Sequence, residues 1–107
     1  MKDFYDLWFL SRRFEFQGSV LVSAIAATFT RRETLIPTTT PTGLTEAFHS
    51  DLSHVRQWRA FISRTSVSAP ALLTEAAESI VEFLLPASIA AANDDAFEVR
   101  WLGGRWR

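Results

Sequence analysis

The segment from Leu72 to Leu85 constrains the fold of this chain more than any other. Leu72, Leu73, Ala76, Ala77, Ile80, Val81, Leu84 and Leu85 alternate spacings of one and three, which an α-helix gathers into paired apolar rows. Glu75, Glu78 and Glu82 form the opposite polar stripe, and without histidine partners they read as a solvated face rather than a metal site. Pro70 stands near the first helical position, where its missing N–H costs nothing. Pro86 should kink or divide the helix before Ala87 to Ala92, and Asn93-Asp94-Asp95 closes it.

Three further helical patterns precede it. The first runs from about Asp3 to Phe16 and stops at Gly18, with Arg12 and Arg13 near the end that favours cations. Phe14 to Phe16 is also compatible with a short strand, but segment length favours a continued helix. The second spans Ser19 to Arg32, with Val22, Ile25, Ala26 and Phe29 on one stripe. Glu33 to Gly43 is a surface connector, because Pro37, Pro41 and the threonines favour extended backbone. A helical turn over Leu44 to Ser50 leads to a third helix, Asp51 to Thr65, capped by Ser50 or Asp51. Leu52, Val55, Trp58 and Ile62 define its inner face, widened by Phe61, while Arg56, Arg59 and Arg64 point to solvent. His49 and His54 are five apart and share no helical face, so they do not make a zinc site. In the tail, Phe97, Val99 and Trp101 alternate with Glu98 and Arg100, a pattern that permits a short strand before Gly103-Gly104. Trp101 and Trp106 are expected to pack back on the helices. The expected fold is all-α: one domain over residues 1–107, a small bundle of four or five helices with an irregular aromatic C-terminal tail.

Composition narrows the function classes. Apolar residues make up 48% of the 107, so the chain is not compositionally disordered. Net charge is −1, and a strong stand-alone nucleic-acid binder usually carries a basic excess. No cysteine is present, which rules out disulfides and thiolate metal sites. The longest near-apolar run, Val20 to Phe29, is too short to span a bilayer, and the acidic N-terminus is unlike a signal peptide. The expectation is a cytoplasmic chain with no membrane partner.

The chemistry concentrates in Lys2, Asp3 and Asp6. On a helix Asp3 and Asp6 lie about 60° apart, on a side continued by Leu10 and Arg13. Phe4, Leu7, Trp8 and Phe14 crowd a second face, and Tyr5, Phe9 and Phe16 a third, which reads as an interior helix. Two carboxylates one turn apart there need a metal ion, an Arg or Lys, or water at the exposed first turn. The plain alternative is that acids favour a helix's first turn.

Lys2-Asp3-Phe4-Tyr5-Asp6-Leu7 closely resembles a motif of the AbiEii/AbiGii toxin family of nucleotidyltransferases, Arg-x-Lys-Asp-x-x-Asp-Leu, the last of that family's active-site motifs. The resemblance continues through Trp8-Phe9-Leu10 and, more loosely, Phe83-Leu84-Leu85-Pro86, Trp101 and Gly104. It implies a magnesium-dependent enzyme that transfers a nucleoside monophosphate from an NTP to an RNA acceptor such as tRNA, controlled by a cognate antitoxin. It also implies catalytic roles for Lys2, Asp3 and Asp6 in the complete enzyme. The family's Gly-Ser or Gly-Gly nucleotide loop, its Asp-x-Asp or Asp-x-Glu metal pair and its upstream lysine have no counterpart here. Lys2 is the only lysine, Asp94-Asp95 is adjacent and near the C-terminus, and Gly18-Ser19 follows the motif instead of preceding it. The chain therefore reads as the helical C-terminal portion of a larger enzyme, inactive alone and with no cofactor of its own. Its Met1 would then be an internal methionine, with the missing N-terminal domain as a partner. The alternative is a non-enzymatic helical interaction module, supported by nine Phe and four Trp. A third reading, a small RNA-binding protein using Arg31, Arg56, Arg59 and Arg64, is weakened by the net charge.

Overall fold

A computed structural model describes residues 1–107 and arranges them around one long helix. In chain order the elements are α1 (Lys2–Arg13), β1 (Phe16–Gln17), α2 (Gly18–Arg31), a 3-10 turn (Thr42–Leu44), α3 (Glu46–His49), α4 (Leu52–Thr65), α5 (Leu73–Ala92), β2 (Arg100–Leu102) and β3 (Arg105–Trp106). The apolar rows of α5 form the centre of the molecule. Leu73, Ala76, Ala77, Ile80, Phe83, Ala87 and Ala90 are all buried, with α1 and α2 packed along the helix and α4 across its start. Glu75, Glu78 and Glu82 stay exposed, as their spacing requires.

Pro86 lies inside α5 and does not divide it. The residue is exposed, on the same outward stripe as the glutamates. The carbonyl of Glu82 that it leaves without a helical donor can therefore be met by water, so one unbroken helix survives the proline.

At the start of α5, Trp58 and Phe61 of α4 pack with Leu73 and Ala76, covered by Met1 and by Phe4, Tyr5 and Trp8 of α1. The Trp58 indole N–H donates to the Pro70 carbonyl at 2.9 Å. Asp51 caps α4, accepting from the Ser53 and His54 amides. Leu52, expected on the inner face of this helix, is exposed, because Trp58 and Phe61 set the buried direction.

The expected all-α architecture needs correcting at both ends. The chain is mostly helical but carries a three-stranded antiparallel sheet in the order β1-β2-β3. Helix α1 stops at Arg13 instead of continuing to Phe16, and Phe14 is already extended. Phe16 pairs with Trp101, and Gln17 with Arg100. An extended backbone places the Phe16 ring 5.0 Å from that of Phe83, against the core. The tail is a β-hairpin, not irregular chain: Trp101 opposes Trp106 and Leu102 opposes Arg105 across Gly103-Gly104. Both tryptophans pack back on the helices. Gly18 opens α2 rather than ending α1, and a Cβ there would fall 2.6 Å from the carbonyl oxygens of Phe97 and Val99. Its own amide donates to the Val99 carbonyl at 2.7 Å.

Candidate functional site

Helix α1 is not an interior helix. Its aromatic residues Phe4, Tyr5, Trp8 and Phe9 are half-buried, and only Ser11 is fully buried. One side packs on α4 and α5, leaving the side with Asp3 and Asp6 open to solvent. Of the two carboxylates only Asp6 gains a cation, and it comes from the helix itself: Lys2 Nζ donates to Asp6 Oδ2 at 2.6 Å. That hydrogen bond, then the Asp6 charge, and more weakly the Asp3 charge, hold the Lys2 ammonium above the ordinary lysine value. Lys2 is thus held protonated beside Asp6. Asp3 is exposed and has no ion-pair partner.

The edge continues towards the C-terminal end of α1 as an apolar strip. Leu10 and Phe14 are exposed, and the Arg13 guanidinium lies 5.2 Å from the centre of the Phe9 ring. None of the larger clefts in the molecule is lined by Lys2, Asp3 or Asp6. An apolar cleft of about 130 Å³ exists, but it lies between α2, α5 and the connector, lined by Ile25, Phe29, Leu44, Val81, Leu84 and Leu85. No three metal-ligating side chains converge anywhere. With Asp6 engaged by Lys2, the residues present do not fit a magnesium ion by themselves.

The other titratable candidates have structural roles. The His54 ring stacks on Phe48 at 3.7 Å, and its Nδ1 lies 2.9 Å from the Phe48 carbonyl and 3.5 Å from Asp51. His49 is buried with Nδ1 2.9 Å from the Thr74 hydroxyl. Arg56, Arg59 and Arg64 lie on the solvent side of α4. Arg12 acquires a role that its helix-end position did not reveal: its guanidinium donates to Ser79 Oγ at 2.6 Å and tethers α1 to α5.

The family model described as "Nucleotidyl transferase AbiEii toxin, Type IV TA system" matches residues 1–97. The chain belongs to the AbiEii family. The match includes the whole of Lys2 to Leu7 and ends before the β2–β3 hairpin. No curated protein and no solved structure matches the chain significantly. No helix of this AbiEii-family chain is long and apolar enough to cross a membrane.

Proposed function

We propose that this chain is the C-terminal helical domain of an AbiEii-type nucleotidyltransferase that moves a nucleoside monophosphate from an NTP to an RNA acceptor, tRNA being the favoured class. The observation that carries the reading is the open edge of α1, where Lys2 is locked to Asp6 and Asp3 is left free within the family's motif. Such an edge has a permanent cation to meet a triphosphate and a free carboxylate to accept a hydrogen bond from a lysine or a hydroxyl. Magnesium belongs to the complete enzyme, where it neutralises the NTP phosphates. The nucleotide loop and the metal-holding carboxylates lie on polypeptide other than these 107 residues, so the chain alone transfers nothing. A cognate antitoxin is the expected regulator, and the cytoplasm, which holds NTPs and RNA, the expected compartment.

The coding DNA above Met1 tests the reading. The expected result is an in-frame arginine two codons above Lys2, with a Gly-Ser or Gly-Gly segment and an acidic pair further upstream. A frame closed directly above Met1, with no co-purifying polypeptide that carries those motifs, would sink it.

A second reading, a non-enzymatic interaction module, draws on the exposed Leu10 and Phe14 beside the charged edge. Light scattering separates the cases, since a clean monomer that captures no partner speaks against the module.

A further inference from the structure

Side chains of β2 and β3 alternate between two faces. Trp101 and Trp106 turn inward, with ring centroids 4.9 and 6.2 Å from that of Phe83. Arg100, Leu102, Arg105 and Arg107 therefore occupy the outer face, and all three arginines are exposed. Arg100 and Arg107 exchange both backbone hydrogen bonds, at 3.0 and 2.8 Å, so two like charges stand directly opposite each other. That arrangement costs stability in a sheet.

No acidic side chain forms an ion pair with these arginines. Apart from the His54–Asp51 contact, the only pairing of basic and acidic side chains in the chain is Lys2–Asp6. Residues 100–107 contain three arginines and no acidic side chain. Glu15 and Glu98, which precede β1 and β2, reach no guanidinium within ion-pair distance. A fourth cation arrives from α1: the Arg12 guanidinium lies 2.8 Å from where a Cβ on Gly104 would be, and that of Arg107 lies 3.6 Å from the equivalent point on Gly103. Both glycines have positive φ, +60° and +82°, so the turn leaves bare backbone between two guanidinium groups. Glu75, Glu78 and Glu82 line a cleft together with Arg12 but form an ion pair with none of the four.

We propose that this outer hairpin face, Arg100, Arg105 and Arg107 with Arg12 at the turn, is a contact surface for the phosphodiester backbone of the RNA acceptor. The proposal rests on RNA being the acceptor under the function argued above. Its hairpin residues lie beyond residue 97, outside the family match, so that match assigns them nothing. Arginine suits the task because its planar fork meets phosphate oxygens in pairs. Backbone contacts of this kind hold and orient a nucleic acid without reading its sequence. The net charge of −1 conceals the face because the acids are placed elsewhere. Helix α1 links the surface to the candidate catalytic edge, since the nine helical steps from Asp3 to Arg12 span roughly 14 Å.

The test is fluorescence-anisotropy binding of the full chain to labelled total tRNA, and separately to a DNA duplex, across a salt series. The triple variant Arg100→Gln/Arg105→Gln/Arg107→Gln is compared with Arg56→Gln/Arg59→Gln/Arg64→Gln on α4, with circular dichroism and tryptophan emission reporting the fold of each. Wild type should bind tRNA with a steep salt dependence. The hairpin variant, folded, should bind about tenfold or more weakly, with a log–log salt slope shallower by about two to three, while the α4 variant stays near wild type. Tighter binding of tRNA than of duplex supports RNA as the source of the phosphates, and the reverse order overturns that assignment. No salt-dependent tRNA binding by wild type, or equal losses in the two variants, overturns the surface itself. Binding is read without nucleotide transfer, so failure of the enzymatic reading and failure of this surface give different results.

Discussion

The indole N–H of Trp101 donates to the main-chain carbonyl of Ser11 at 2.7 Å, joining β2 to α1 across 90 residues of sequence. Both residues are almost wholly buried. The contact ties the hairpin to the helix that carries Lys2, Asp3 and Asp6. Trp101→Phe keeps a ring on Phe83 but strands the Ser11 carbonyl, and should cost about 1–3 kcal/mol in urea denaturation. Trp101→Ala removes the packing as well and should cost about 3–5 kcal/mol. Equal losses for the two would show that the ring, not the hydrogen bond, does all the fastening.

Gly18 is needed for space. A Cβ would sit 2.6 Å from two carbonyl oxygens, so Gly18→Ala must push α2 away from the 97–99 segment and should destabilise by about 2 kcal/mol or more. Gly43→Ala is the control, because its Cβ would meet only the Phe4 ring, at an ordinary 3.9 Å. Thermal melts that rank the two variants the other way would contradict the packing described here.

Pro86 sits inside α5 and is exposed to solvent. Restoring the helical hydrogen bond with Pro86→Ala should stabilise the chain by about 2 kcal/mol, read as a higher urea midpoint with unchanged helicity. A lower midpoint would mean that the ring itself is required.

The Lys2–Asp6 pair predicts a specific pH response. The Lys2 value is raised above 10.5, chiefly by the hydrogen bond to Asp6, so the pair's contribution is fully present below the ordinary lysine range. On the alkaline side it is lost as pH climbs through the raised value. In an NMR titration of the Lys2 side chain, Asp6→Asn should bring the midpoint back towards 10.5. Between about pH 6 and 9 the stability difference between wild type and variant should stay flat. An unmoved Lys2 midpoint would show that the pair does not form in solution.

Much of this fold was legible in the chain because helical periodicity is local. The rows of α5, the Asp51 cap and the connector follow from spacing, prolines and a single carboxylate. The sheet was not legible as such, because its strands are two and three residues long and β1 pairs with a segment more than eighty positions away. Within Phe14-Glu15-Phe16 the choice between helix and strand is made by Phe83 and Trp101, which no local pattern contains. At the candidate site, Lys2, Asp3 and Asp6 stand out by their order. That the edge faces outward depends on which side of α1 meets Trp58 and Leu73, and tertiary packing alone fixes that. The hairpin arginines were hidden for a different reason: a near-zero sum of charges says nothing about where the charges sit.

The central claim is that α1 presents one wall of a nucleotidyl-transfer site whose other groups lie on other polypeptide. Its most direct test is to incubate the chain with labelled NTPs, magnesium and total tRNA, beside its Asp3→Ala variant. The account predicts no incorporation by either protein. Incorporation by the chain alone that disappears in Asp3→Ala would contradict it.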